Sequence, residues 1–333
     1  MNTESWVPPA LALFDAGEAG IELPVCDHYA GIEARMTKSL ALQAELGPVF
    51  DVTLDCEDGA PVGGEAAHAR LVAAIVMSTA NVHRRCGVRV HPVDHESFEA
   101  DVATVVGVAA SRLAYVMLPK IESAADIDRA ATAIDSAGGS ALPLHALIET
   151  HGALRHVAAI AAHRRIESLS FGLMDFVSAH RGAIPASAMS AEGQFTHPLV
   201  VRAKLEIAAA CHAFAKAPSH CIVTEFADTA VVAAAARRAA REFGCTRMWS
   251  IHPSQIRPIV AAFAPDRSEV DEAASIIDAA AAAQWAPIRR NDVLHDRASY
   301  RYFWRLLTRA RRTGVALPAD FERRFFAPDA GPG

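Results

Sequence analysis

The chain has 333 residues, 52% of them hydrophobic and 21% charged, with a net charge of −6. This apolar content excludes a disordered chain, and six Cys in this length exclude a small disulfide scaffold. A mildly acidic balance argues against a nucleic-acid binder, and no apolar run approaches the ~18 residues of a membrane span. The first residues lack a basic n-region before their short apolar stretch, so no secretory signal is expected. Cys26, Cys56, Cys86, Cys211, Cys221 and Cys245 form no CxxC pair and no zinc spacing. They read as reduced, semi-buried thiols in a cytoplasmic protein.

In chain order, the β-leaning runs are Ile21–Val25, Phe50–Leu54, Gly87–Val90, Ala114–Leu118, Leu144–Ile148, Ser168–Gly172, Cys221–Thr224 and Met248–Ile251. Helical patterns lie between them. Ala124–Ser136 is one, ended by Gly138 and Gly139, and Leu199–Ala217 is another, stopped by Pro218. Thr229–Phe243 is a third, closed by Gly244. Eight strand–helix units predict parallel strands with crossover helices, closed as a (β/α)8 TIM barrel. A doubly wound open sheet is the runner-up, but no GxGxxG follows the first strand and no GxxxxGK[ST] occurs. Ser254–Phe263 reads as the eighth helix. The barrel is assigned to 1–264. Residues 265–333 form a C-terminal helical extension for lid or oligomer contacts, with helices at Val270–Ala283 and Tyr300–Arg312 and a frayed Pro-Asp-Ala-Gly-Pro-Gly end.

In such a barrel, function gathers at the C-terminal ends of the strands. Here those ends deliver Asp55-Cys56-Glu57-Asp58, Arg89 with His91, Lys120, Glu149, Asp175, Glu225 and His252. One acid after a strand is most often a turn former or helix cap. So many on one rim exceed what capping explains. Glu57, Asp58, Glu149 and Asp175 concentrate negative charge, which favours a bound cation. Carboxylate ligation without a Cys or His pair suits a hard ion, Mg2+ or Mn2+. Arg89 and Lys120 offset the remainder and suit an anionic substrate.

The stretches LDCEDGAP (54–61), VRV (88–90), VMLPKIESAADI (116–127), LIET (147–150), SFGLMDF (170–176) and WSIHPSQI (249–256) occur in one order. In that order they resemble the HpcH/HpaI aldolase and citrate lyase beta-subunit-like family, whose close relatives include malyl-CoA and citramalyl-CoA lyases. The resemblance covers roughly 50–263. It implies a barrel of the pyruvate/phosphoenolpyruvate-binding type, a homotrimer or homohexamer, and Mg2+-dependent carbon–carbon lyase or synthase chemistry on acyl-CoA thioesters. By motif it places the metal ligands on Glu149 and Asp175, the acidic pair beside the metal's water shell on Glu57 and Asp58, and the arginine that binds keto-acid or enolate oxygens on Arg89. It implies a catalytic base from the C-terminal segment, often a neighbouring subunit's, for which Asp296 is the first choice and Asp292 the second.

The chain departs from that pattern in three places. Asp27 and His28 stand where the family's first loop carries an arginine for the CoA phosphates, leaving Arg35 and Lys38 as substitutes. His91 stands where an Asn often follows the third strand, and no Lys precedes the IHP of the eighth. The expected substrate is a short hydroxy-dicarboxyl acyl-CoA such as citryl-, malyl- or citramalyl-CoA. It would be cleaved to a keto acid and an acyl-CoA enolate, with Lys120 either touching substrate or neutralising Glu57. The alternatives are a class II pyruvate aldolase acting on a free hydroxy-keto acid, an acyl-CoA thioesterase, and a non-catalytic metabolite-binding paralogue. For Arg89 the competing reading is a buried ion pair with Asp55 or Glu57. His252 reads as structural.

Overall fold

The computed structural model describes residues 7–15 and 20–326. The C-terminal end read as frayed lies outside them. Eight strands pair in parallel, and the eighth pairs back onto the first, so the sheet closes without an edge. They are β1 Cys26–Ala30, β2 Phe50–Asp55, β3 Cys86–Arg89, β4 Leu113–Leu118, β5 Leu144–Ile148, β6 Ile166–Phe171, β7 Ala217–His220 and β8 Arg247–Ser250. Helices separate them, giving the (β/α)8 barrel expected from the alternation. The helix at Ala124–Ser136 has its predicted limits, because Ser123 and Asp126 form a reciprocal capping box. Thr229–Glu242 ends just before Gly244, which turns at φ +67°.

Two strands lie away from their most apolar stretches. β1 starts after Ile21–Val25, and β7 precedes Cys221–Thr224. The displacement has a tertiary cause. β1 carries Asp27, which is buried and whose Oδ1 accepts hydroxyl protons from Thr53 (2.7 Å) and Tyr115 (3.0 Å). Those partners offset a desolvation penalty that local hydropathy charges in full. β7 contains Pro218, which lacks an N–H but whose carbonyl accepts Thr246 N–H at 3.0 Å. The helix before it, Pro198–Ala213, ends well ahead of Pro218, and Ala215 turns the chain at φ +55°.

The barrel floor is polar, where branched aliphatic side chains usually fill the interior. Arg247, 1% exposed, lies 2.8 Å from Asp51 Oδ2 and 3.5 Å from Asp27 Oδ2. Tyr115 stacks on His145 with ring centroids 3.8 Å apart. Gly87 makes that arrangement possible: a Cβ there would meet the Tyr115 ring at 2.2 Å. Above this layer Tyr29, Met117, Leu147 and Trp249 form an apolar ring.

The barrel unit spans Ile21–Phe263, and a second compact unit combines the described residues of 1–20 with those of 264–333. Leu13 shares the second unit's core with Val270, Ile277, Tyr300, Trp304 and Phe321. Residues 7–15, grouped with the barrel in the sequence reading, thus cluster with the C-terminal helices. These run over Arg267–Ala282 and Arg297–Arg312, each opened by an Asp capping box. Between them Ile288–Arg290 and Val293–His295 form an unanticipated hairpin, turned by Asn291 and Asp292 at φ +49° and +61°. No helix among the described residues is long and apolar enough to cross a membrane.

Candidate active site at the barrel rim

The C-terminal ends of five consecutive strands, β2 to β6, build the site. Asp55, the last residue of β2, organises its first part. Its Oδ1 accepts Glu57 N–H and its Oδ2 accepts Gly59 N–H, both at 2.9 Å, which folds Glu57-Asp58-Gly59 into a tight turn. Asp55 also takes both Nε and a terminal nitrogen of Arg89, the last residue of β3. This fork-to-fork contact sets the guanidinium plane. Tyr29 adds a ring face 5.3 Å from the Arg89 Cζ, and Trp249 stacks behind Tyr29. Burial works against the Arg89 charge, but Asp55 and Glu57 outweigh it and hold the pKa above the ordinary arginine value. The ion pair weighed as the bland reading of Arg89 is present, and it orients the group that would meet substrate. Asp55 was not singled out as a site residue. The signal available was its position two residues before Glu57, which strand alternation puts on the same inward face.

Lys120, two residues past β4, sits in the left-handed region at φ +48°. Such strain persists only where surroundings over-determine it, and here they do. Its N–H donates to Glu149 Oε1 at 2.8 Å. Its ammonium donates to Glu57 Oε1 at 2.5 Å and Asp58 Oδ2 at 2.9 Å, and lies 3.8 Å from Asp175 Oδ1. Partial burial lowers its pKa, but the hydrogen bonds and charges of Glu57 and Asp58 raise it above the usual lysine value overall. Burial raises the Asp58 carboxyl, and Lys120 more than reverses this, leaving it below the ordinary aspartate value.

Glu149 is 3% exposed, and burial together with the Asp175 charge pushes its carboxyl up to about 8. The chain makes room for it: a Cβ on Gly172 would stand 2.0 Å from Glu149 Oε2. Asp175 lies in the first turn of Leu173–Ser178, half-exposed.

Five carboxylates (Asp55, Glu57, Asp58, Glu149, Asp175) thus face two cations (Arg89, Lys120). Glu57 Oε2 is buried without a directed donor, although Arg89 lies 3.0 Å away as an ion-pair partner. Among the described residues these acids do not form a ready three-ligand cluster, since the Lys120 ammonium stands among three of them. The donor set still fits Mg2+, which keeps several waters and commonly takes only one or two carboxylates. All the donors are oxygens, and the buried Glu149 carboxyl would gain from a cation.

The structure brings Glu57, Asp58, Arg89, Lys120, Glu149 and Asp175 together. It does not bring Arg35 and Lys38 into this cluster, for both are exposed on the helix Glu33–Leu46. Asp296 belongs to the second unit, where it caps Arg297–Arg312 by accepting the N–H groups of Ala298 and Ser299. Asp292 pairs with Arg289 at 2.7 Å. His252 stacks on Phe226 and bonds Ser254 Oγ at 2.8 Å, a structural use.

Comparison with known proteins agrees with this fold. The family model HpcH/HpaI aldolase/citrate lyase matches residues 37–253. The L-malyl-CoA/beta-methylmalyl-CoA lyase of Cereibacter sphaeroides is 31% identical over 250 residues, 70% of this chain and 77% of its own. A citrate lyase from Burkholderia xenovorans LB400, known from its crystal structure, is 54% identical with a TM-score of 0.83, covering 96% of this chain and 100% of its own. The CitE protein of Mycobacterium tuberculosis, solved with magnesium, acetoacetate and coenzyme A, shares the fold at 22% identity and a TM-score of 0.67, over 86% of this chain and 98% of its own. The chain belongs to the HpcH/HpaI aldolase/citrate lyase family and is an enzyme of the lyase class.

Proposed function

We propose that this chain is a Mg2+-dependent carbon–carbon lyase that cleaves or forms a short hydroxy-dicarboxyl acyl-CoA, giving a keto acid and an acyl-CoA. The observation that carries the metal reading is Glu149: a buried carboxyl raised to about 8, beside Asp175, on a rim with more acids than cations. Glu149 and Asp175 would hold the ion, with Glu57 and Asp58 beside its waters. When bound, Mg2+ supplies Lewis acidity toward the carbonyl that forms on cleavage.

The chain's own residues do the rest. Arg89, fixed by Asp55 and Tyr29, presents a rigid planar donor to carboxylate or enolate oxygens. Lys120 balances the charge of Glu57 and Asp58 and keeps the anionic rim open to an anionic substrate. A Schiff base at Lys120 is disfavoured, because its raised pKa holds the amine protonated. The thioester reading rests on the malyl-CoA lyase relative. Exposed Arg35 and Lys38 are the cations available for the CoA phosphates. Asp296 remains the choice for a base supplied by a neighbouring subunit in a homotrimer or homohexamer. Six buried, free cysteines support a cytoplasmic setting.

A second reading is hydrolysis of the same thioester. It is supported by likeness to a (3S)-malyl-CoA thioesterase of Cereibacter sphaeroides, 33% identical over 141 residues, 42% of this chain. Calorimetry with Mg2+ tests the metal: binding by the wild type and none by Glu149→Ala or Asp175→Ala is expected. Equal binding in all three would overturn the ligand assignment. Turnover of malyl-, citramalyl- and citryl-CoA then tests the reaction. A keto acid with acyl-CoA supports the lyase, and a free hydroxy-diacid with CoA supports the thioesterase.

A further inference from the structure

Strands β2 to β6 bring charged side chains to the rim, and β1 brings a glycine. Asp27 and Tyr29 face the barrel interior, and alternation puts Gly31 next on that face, at rim height. The β1–β2 ladder ends with Ala30 opposite Leu54, so Gly31 stands level with Asp55. A Cβ on Gly31 would meet the Gly59 carbonyl oxygen at 1.8 Å and its carbon at 2.2 Å. Gly59 makes room in the same way, since a Cβ there would meet Asp55 Oδ2 at 2.2 Å. Neither glycine has a positive φ. Backbone conformation therefore does not demand glycine at either position, and close approach does.

The two glycines join three elements of the rim into one stack. The exit of β1 lies against Gly59, Gly59 donates its N–H to Asp55 Oδ2 at 2.9 Å, and Asp55 holds Arg89. The same turn carries Glu57 and Asp58, both of which hold the Lys120 ammonium. Asp58 and Gly59 are exposed, so the turn is held by Asp55 through its N–H groups and by Gly31 at its carbonyl. A backbone carbonyl cannot swing aside as the end of a flexible side chain can. Any side chain at position 31 must therefore push the turn, or the β1 exit, out of place.

Resting on the lyase reading above, we infer that Gly31 is a positioning residue for the reaction. Its bare Cα lets the β1 exit seat against Gly59, and this contact sets the Glu57 and Asp58 carboxylates relative to Lys120 and Arg89. Gly31 touches no reacting atom and acts only through the turn. β1 thus serves the charged rim without contributing a charge to it.

Gly31→Ala in the full-length protein tests this. Mg2+ affinity by calorimetry and kcat with malyl-CoA should each fall ~10–100-fold, the cost of disturbing the groups that support a metal site. Amide hydrogen exchange reads the turn directly, and the Glu57 and Gly59 N–H groups should exchange ~10-fold faster or more. Gly107→Ala is the control, because a Cβ there has nothing within 4 Å and its φ of −55° is helical. All three readouts should stay at the wild-type value in that variant. A lower denaturation midpoint for Gly31→Ala, with Mg2+ affinity and exchange unchanged, would make Gly31 a packing residue only and overturn the inference. If the wild type binds no Mg2+ and cleaves no thioester, the proposed function fails, and exchange at Glu57 and Gly59 still decides the role of Gly31. If Gly31→Ala does not fold, the wild type decides. Mg2+ with pyruvate should slow exchange at Gly31 together with Glu57 and Gly59, and no change at Gly31 overturns the inference.

Discussion

The barrel holds two clusters of acids and arginine at two depths, and they behave oppositely. On the floor, Asp27 and Asp51 share Arg247, all within 2% of complete burial, and hydroxyls from Thr53 and Tyr115 satisfy Asp27 Oδ1. Burial still raises the Asp27 carboxyl. At the rim, Asp55 alone is locked in this way, to Arg89. Glu57, Asp58 and Asp175 gather round one lysine ammonium, and Glu149 lies within reach of Asp175. The same residue types thus make a sealed structural tie in one place and an under-neutralised surface in the other. Solvent access and the ratio of acids to cations make the difference, not residue identity.

The comparison breaks most visibly through pH. Glu149, raised from 4.5 to about 8, binds its proton more tightly folded than unfolded. Stability from it is therefore full below about pH 4.5 and lost as pH rises towards 8, on the order of 4 kcal/mol without metal. Denaturant titrations of metal-free protein should show this decline, and Glu149→Gln or Mg2+ should remove it. A flat profile in the wild type would show that the rim is no more strained than the floor.

Arg247→Ala attacks the other side of the comparison. It leaves Asp27 and Asp51 buried without their cation and should cost ~3–5 kcal/mol, read as a lower denaturation midpoint. An unchanged midpoint would mean that the floor network carries no stability. The smallest effect belongs to Asp58→Asn. Asp58 is exposed, so its pair with Lys120 is worth ~0–1 kcal/mol, and folding stability should barely move. Mg2+ affinity measured by calorimetry should fall only a few-fold if Asp58 contacts the ion's waters rather than the ion.

Much of this molecule was legible in the chain alone. Strand–helix alternation announced the closed barrel, and the residues after β2 to β6 announced its acidic rim, because both are local patterns repeated along the sequence. Asp55 was legible only as an ion-pair partner, since its hold on the Glu57–Gly59 turn is a matter of register. The shift of β1 to Cys26–Ala30 was hidden, because Arg247 and Tyr115, the partners that make Asp27 tolerable there, lie far along the chain. The same holds for His91, whose sequence position marked only a departure from pattern until folding laid the Asp101 carboxylate against it.

The sequence by itself determined which side chains reach the barrel's rim. Strand periodicity and the placement of function at strand ends require only neighbouring residues. Tertiary structure alone decided which charges are neutralised and which are strained. Those depend on burial and on contacts between residues distant in the chain, where desolvation and pairing nearly cancel and only geometry shows which wins.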